Sequence, residues 1–330
     1  MRNLENLSKQ IFQIKDEKSF QCIALEIFKI QSKHNFIYKK YLEALNVRAE
    51  EIVAIEEIPF LPIEFFKSHK LILEGLDTEI IFKSSGTTGM IPSQHFVANS
   101  KIYEESFIKG FQRFFGTIGD YCILALLPSY LERQGSSLIY MTEQLIRLSE
   151  NLKSGFFLNN HKELVEIIHS PALKNKKIIL LGVTYALLDL AENYNIKKPD
   201  LIVMETGGMK GKRKEMVREE LHQTLSEKLG VNQIYSEYGM TELLSQAYSF
   251  GQGVFKTPPW MKVMIRDTND PLSLLADGQS GGINVIDLAN INSCSFIMTQ
   301  DLGKKYADGS FEVLGRFDSS DIRGCNLLVQ

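Results

Sequence analysis

The chain has 330 residues, 44% of them hydrophobic and 23% charged, with a formal net charge of −3. That length supplies core for one large domain or two modest ones, and the near-neutral balance gives no global field to recruit nucleic acid or an anionic membrane. The opening residues carry charges throughout, which excludes a signal-peptide core, and no apolar run approaches bilayer length. Four cysteines, Cys22, Cys122, Cys294 and Cys325, are scattered with no CxxC pair. This usage fits reduced thiols in a cytoplasm better than a disulfide framework or a zinc site. A cytoplasmic protein is expected, with no nucleic-acid partner and no integral membrane contact. The apolar settings of Cys22, Cys122 and Cys294 predict buried, inert thiols.

Residues 1–50 are rich in Lys, Glu and Leu and read as amphipathic helices. IPFLPIEFFKSHKL carries two prolines among large apolar residues, as suits a connector packed onto the main body. TEIIF reads as a strand, SSGTTG as a small-residue loop, and FVANSKIYEESFIKGFQRFF has helical spacing, which predicts strand, loop, helix. YCILALLP (121–128) is a buried strand, SSLIYMTEQLIRLSENL a helix, SGFFLN a short strand and HKELVEIIHSPALK a helix. KKIILLGV, TYALLDLAENYN and DLIVMETGG follow as strand, helix and strand. KGKRKEMVREELHQTLSEKLG predicts a long exposed helix with a solvated face, and NQIYSEYGMTELL a strand and turn. Past residue 255 the strands WMKVMIRD, GGINVIDL, CSFIMTQDLG and GSFEVLGRFD are separated by turns such as ADGQSGG.

Continuous apolar strands alternating with amphipathic helices indicate an α/β fold, with mostly parallel sheets flanked by helices and a C-terminal β-subdomain. The expected boundaries are 1–80 for an N-terminal helical segment packed on the main body, 81–254 for the α/β core and 255–330 for the β-subdomain. Ligands in such folds sit beyond the carboxyl ends of strands, so the loops SSGTTG, PSYLERQG, GVTY, TGGMKGK and YGMTE are the ones to inspect. Glycines admit close backbone approach, and successive N–H groups with hydroxyls can wrap an anion. SSGTTG therefore reads either as a phosphate cradle or as an ordinary flexible loop. It lacks the GK[ST] ending of a Walker A loop.

The ordered set SSGTTG, TGG, YGMTE, TQD and GRFD, spanning roughly residues 80–325, resembles the adenylate-forming superfamily of acyl-CoA synthetases, luciferases and adenylation domains. PFLPIEFFK, FKSSGTTG, TGGMK, TPPWMKVMIRD, FIMTQDLG and RGCNLLV look like the acyl-protein synthetase of the bacterial bioluminescence fatty acid reductase system. The resemblance implies the fold of the superfamily's large N-terminal domain, with the small C-terminal domain absent. It places ATP and acyl binding in 81–254, and ribose-binding and hinge motifs in 255–330. It also implies ATP and Mg²⁺, a fatty acid substrate, an acyl-adenylate, transfer to the chain's own cysteine, and an acyl-accepting protein partner such as a reductase or carrier protein.

By the same resemblance, Ser84, Ser85, Gly86, Thr87, Thr88 and Gly89 hold the β- and γ-phosphates. Thr206, Gly207 and Gly208 wall the adenine, and Tyr238 and Gly239 border it. Thr241 contacts the α-phosphate and Glu242 coordinates Mg²⁺. Asp301 accepts both ribose hydroxyls, Arg316 adds a fixed positive charge nearby, and Asp318 takes the hinge position. Cys325 is the acyl-accepting thiolate, with Arg323 favouring its ionisation. Taken singly, Asp301 reads as a turn residue, Glu242 as a helix-start carboxylate and Arg316 as a strand-end surface residue. His95 reads as a satisfied polar residue at a helix entrance. Departures from the superfamily are Pro92-Ser93 where Pro-Lys is usual, Gln300 for a glycine, Tyr130 for a histidine, and the absent catalytic lysine. Two rivals stay open: an adenylating ligase that loads coenzyme A or a carrier directly, and an inactive nucleotide- or acyl-binding subunit.

Overall fold

The computed structural model describes residues 2–84, 91–128, 134–207 and 216–317. Two compact units divide the chain: Met1–Gly75 with Pro259–Gln330, and Leu76–Pro258. Helix α1 (Arg2–Ile11) leads to α2 (Glu17–His34), which starts at a reciprocal cap. There Ser19 N donates to Asp16 Oδ1 at 2.8 Å, and Asp16 N donates to Ser19 Oγ at 3.3 Å. Phe20, Ile23, Ala24, Ile27 and Phe28 form the buried stripe of α2. Cys22 falls off that stripe and is exposed, which corrects the expected buried thiol, whereas Cys122 and Cys294 are buried. At 3.6 residues per turn, apolar neighbours in sequence do not share a face. Helix α3 (Phe36–Ala44), the short strand β1 (Leu61–Pro62) and α4 (Phe65–Ser68) complete this segment.

The second unit begins with β2 (Ile80–Lys83) and β3 (Gln94–Val97), an antiparallel hairpin. The expected helix therefore does not follow the small-residue loop directly. QHFV alternates half-buried and buried, and Ser84 and Ser93 close the hairpin through Ser84 N to Ser93 O at 3.0 Å and Ser93 N to Ser84 Oγ at 2.9 Å. Helix α5 (Ser100–Phe115) starts only after Asn99, whose side chain accepts from Lys101 N at 3.0 Å. Then come β4 (Tyr121–Leu126), α6 (Ser137–Leu148), β5 (Gly155–Phe156), α7 (His161–Ile168), β6 (Lys177–Gly182), α8 (Thr184–Asn193) and β7 (Ile202–Glu205). Helix α9 (Arg218–Leu229) is shorter than the predicted 210–229, since Met216 and Val217 are not helical and 210–215 lie outside the described residues. Glu219 and Glu220 sit in its first turn, where the helix dipole favours them.

Strands β8 (Ile234–Tyr238), β9 (Ala247–Ser249) and β10 (Val254–Lys256) finish this unit. Its sheet order is β10-β9-β8-β7-β6-β4-β5, parallel from β5 to β8 and antiparallel at β9 and β10. The register pairs Leu126 with Gly182, Gly182 with Glu205 and Glu205 with Ser236, so β4, β6 and β7 end level and β8 runs two residues further, to Tyr238. Every residue of β4 is buried; α6 packs on β4 and α9 on β8. A large mixed sheet with helices against it is the α/β architecture the alternating pattern predicts.

In the first unit β11 (Met261–Arg266), β12 (Ser280–Asp287), β13 (Phe296–Lys305) and β14 (Phe311–Arg316) form an antiparallel meander, with β1 parallel to β13. Buried Gln31 of α2 ties this meander to the N-terminal helices. Its Nε2 donates to the Asn290 and Ile291 carbonyls, both at 3.0 Å, and its Oε1 accepts from Ser295 N at 2.9 Å. Among the described residues no helix is long and apolar enough to cross a membrane. Replacing Gln31 by Leu strands these buried backbone groups, so urea unfolding of Gln31→Leu is expected to show a loss of roughly 2–4 kcal/mol. An unchanged midpoint would contradict that role.

Candidate active site

The carboxyl ends of β6, β7 and β8 open onto a cavity of about 180 Å³. It is bounded by Val183 after β6, Gly207 after β7, Met240 and Thr241 after β8, Ser137 of α6 and Tyr103 of α5. Four of the residues singled out in the sequence line it together: Thr206, Gly207, Gly239 and Thr241. This is the strand-end position where open α/β sheets place their ligands.

Two carboxylates stand at the ends of adjacent strands, and one of them, Glu237, lines the cavity. Glu205 ends β7 and is buried; its Oε1 accepts from the Thr184 hydroxyl and from Gly207 N at 2.7 Å. Gly207 has φ +77°, a left-handed conformation that suits glycine, and the Glu205 contact pins that turn. Thr206 N is held in turn by the Gly182 carbonyl at 3.1 Å. Glu237, next to last in β8, is 9% exposed and lines the cavity. Burial, with the Glu205 carboxylate beside it, pushes the Glu237 carboxyl up to about 8. A Cβ on Gly239 would lie 2.9 Å from Glu237 Oε1, so a side chain there would press on this carboxyl and displace it. Neither glutamate was singled out in the sequence. The available signal was an acid ending an otherwise apolar strand, immediately before TGG and YG.

The YGMTE segment is held from the opposite side. His95 lies within β3 rather than at a helix entrance, is buried, and donates from Nδ1 to the Thr241 carbonyl at 3.0 Å. Burial lowers its pKa to about 4, so the imidazole is neutral at physiological pH. Glu242 and Tyr238 are both buried, Tyr238 with its ring edge-on to Phe255 at 6.0 Å. Ser84 stands at the hairpin base with Ser93, and Lys83 beside it lines the cavity.

In the other unit the structure brings Asp301 and Arg316 together as cross-strand neighbours on β13 and β14, with Arg316 Nε 3.3 Å from Asp301 Oδ1. Asp301 lies inside a strand, not in a turn, and Arg316 is largely exposed. Buried Arg266 organises the strands behind them, donating to the Ile283 carbonyl at 2.8 Å and the Thr299 carbonyl at 2.7 Å. Thr299 Oγ1 accepts from Asp301 N at 3.1 Å. Ser85, Gly86, Thr87, Thr88, Gly89, Tyr130, Gly208, Asp318, Arg323 and Cys325 lie outside the described residues.

This fold is that of the N-terminal domain of adenylate-forming ligases. A 2-hydroxyisobutyryl-CoA ligase in complex with R3-HIB-AMP matches with a TM-score of 0.66 at 13% identity, over 92% of this chain and 68% of that one. ATP-bound MatB from Rhodopseudomonas palustris matches with a TM-score of 0.53 at 18% identity, over 73% of this chain and 48% of that one. The matched region thus spans about half the length of MatB. Residues 9–330 match the family described as acyl-protein synthetase, LuxE, and the chain belongs to that family. Among its relatives are long-chain-fatty-acid–luciferin-component ligases. That of Aliivibrio fischeri is 23% identical over 327 residues, 92% of this chain and 85% of the relative. That of Vibrio harveyi is 24% identical over 319 residues, 89% of this chain and 82% of the relative.

The His95 pKa fixes a sign for the pH dependence of stability. Its folded value lies below the ordinary 6.5, so its contribution is complete above 6.5 and is lost as pH falls towards about 4. The loss is about 3 kcal/mol at full protonation of the unfolded chain. Half-buried His222, also lowered to about 4, contributes with the same sign, so the variant is the informative comparison. Urea unfolding across this range is expected to show a shallower acid slope for His95→Gln than for the wild type. Superimposable slopes would contradict a buried neutral imidazole at Thr241.

Proposed function

We propose that this chain is an ATP-dependent acyl-protein synthetase that activates a fatty or related carboxylic acid as its acyl-adenylate, takes the acyl group onto Cys325, and passes it to a protein partner. The observation that carries this reading is the strand-end cavity joining Thr206, Gly207, Gly239 and Thr241, in a chain of the LuxE family. The ATP-bound neighbour of the same fold supports ATP as the co-substrate.

A carboxylate is a poor electrophile because its leaving group would be oxide. Its oxygen therefore attacks the α-phosphorus of ATP, forming a P–O bond as the bond to pyrophosphate breaks. The Cys325 thiolate, its proton given to solvent, then attacks the acyl carbon; a C–S bond forms and AMP leaves. Two anions must meet in the first step, so donors around the α-phosphate dominate catalysis. Thr241 is assigned there, its backbone steadied by His95. Ser84, Ser85, Gly86, Thr87, Thr88 and Gly89 are assigned to the outer phosphates. Thr206, Gly207, Gly208, Tyr238 and Gly239 are assigned to the adenine, Asp301 to the ribose hydroxyls and Arg316 to the charge beside them.

Among the described residues no three His, Cys, Asp or Glu side chains come together as a metal cage. Glu242, a single hard carboxylate next to cavity-lining Thr241, fits an ion that arrives on the triphosphate, the usual habit of Mg²⁺. When bound, Mg²⁺ supplies charge neutralisation at the phosphates. A cytoplasmic setting, with ATP and reduced thiols at hand, suits this chemistry.

Intact-protein mass after incubation with ATP, Mg²⁺ and a panel of acids tests the reading. A hydroxylamine-labile acyl adduct is expected on the wild type and none on Cys325→Ser. Pyrophosphate release without an adduct on either would favour direct loading of coenzyme A or a carrier. Neither product would point to an inactive binding subunit.

A further inference from the structure

Lys83 is the one lysine or arginine among the described residues that line the strand-end cavity. It ends β2, and its backbone is held on two sides. Lys83 N donates to the Gly135 carbonyl at 2.6 Å, and across the hairpin Lys83 stands in register with Gln94. The next residue, Ser84, is fixed by its two bonds to Ser93. Lys83 itself is exposed, and among the described residues no carboxylate forms an ion pair with it.

The rest of the wall is prepared for negative charge. Glu237 is the one acid among the described lining residues, and its carboxyl, pushed up to about 8, is largely uncharged at neutral pH. Its Oε2 has no hydrogen-bond partner despite burial, and in the protonated carboxyl an oxygen becomes a donor. Helix α6 begins at the same wall, where Ser136, Ser137 and Leu138 line the space. Its first N–H groups and the positive end of its dipole lie there. A cation, a helix start and an uncharged carboxyl together suit an anion.

Position along the chain narrows which anion. Lys83 immediately precedes the loop assigned to the β- and γ-phosphates. It shares its cavity with Thr241, assigned to the α-phosphate, and with Thr206, Gly207 and Gly239, assigned to the adenine. An ammonium between those assignments falls at the α-phosphate, where the two anions of the first step must meet.

We propose that Lys83 meets the α-phosphate of bound ATP, its ammonium neutralising the charge against which the acid's carboxylate attacks. The proposal rests on the ligase reading and adds a named catalytic cation to it. No proton moves in this role: the ammonium keeps its hydrogens while the bond to the acid forms and the bond to pyrophosphate breaks.

The test is calorimetric binding of adenosine, AMP and ATP to the wild type, Lys83→Met and Lys83→Arg. Pyrophosphate release with the panel of acids is measured alongside, and thermal melting is the folding check. Lys83→Met is expected to bind AMP and ATP at least about tenfold more weakly than the wild type, and adenosine equally well. Its kcat for pyrophosphate release falls about a hundredfold, and Lys83→Arg recovers most of the nucleotide binding. Unchanged AMP binding by Lys83→Met, an equal loss for adenosine, or a loss confined to ATP would overturn the proposal, the last by placing the ammonium at the outer phosphates. A wild type that binds neither AMP nor ATP would overturn it too. Lys83-dependent AMP binding without pyrophosphate release would uphold the phosphate contact while removing the ligase reading. Pyrophosphate release with AMP binding indifferent to Lys83 would do the reverse.

Discussion

A carboxylate can end a buried parallel strand only where donors meet it, and Glu205 satisfies that condition through the Thr184 hydroxyl and Gly207 N. This one set of bonds joins the end of β7, the first turn of α8 and the left-handed turn of the TGG motif. The β7 end is level with that of β6 and lies beside β8, so fixing Gly207 also fixes one wall of the cavity. Glu237 then stands beside a carboxylate already committed elsewhere, and the raised pKa of its own carboxyl follows from that neighbour and from burial. The local chemistry of the cavity descends from how two strand-end glutamates are accommodated.

The hairpin of β2 and β3 supplies the second constraint. It returns the chain from the SSGTTG loop and delivers His95 to the Thr241 carbonyl, 146 residues away in sequence. One end of the hairpin thus carries the loop assigned to phosphate, and its return strand steadies the segment assigned to the α-phosphate. In the other unit the meander performs a similar service for Asp301 and Arg316. Arg266, buried with backbone carbonyls for partners, aligns the strands on which that pair sits.

The alternation of apolar strands with amphipathic helices was readable from the sequence because each element carries its own period, as in YCILALLP against TYALLDLAENYN. β3 was missed because QHFV is only four residues long and runs into helical spacing at once. Cys22 was misjudged because apolar neighbours say nothing of which helical face a residue takes. At the site, small-residue motifs such as TGG and YGMTE announced themselves, since close approach demands glycine and hydroxyl donors. Glu205, Glu237 and the contact of His95 with Thr241 did not. Each depends on which strands lie side by side, and strand adjacency in a parallel sheet is a long-range property that local pattern does not encode.

The central claim is that an acid is activated as its adenylate in the strand-end cavity. Its most direct test is to supply the acid with heavy oxygen in both carboxylate positions and weigh the AMP released on acyl transfer. Attack by the carboxylate on the α-phosphorus predicts AMP carrying one heavy oxygen from the acid. Unlabelled AMP accompanying acyl transfer would contradict the account, because the acid would then have been activated by another route.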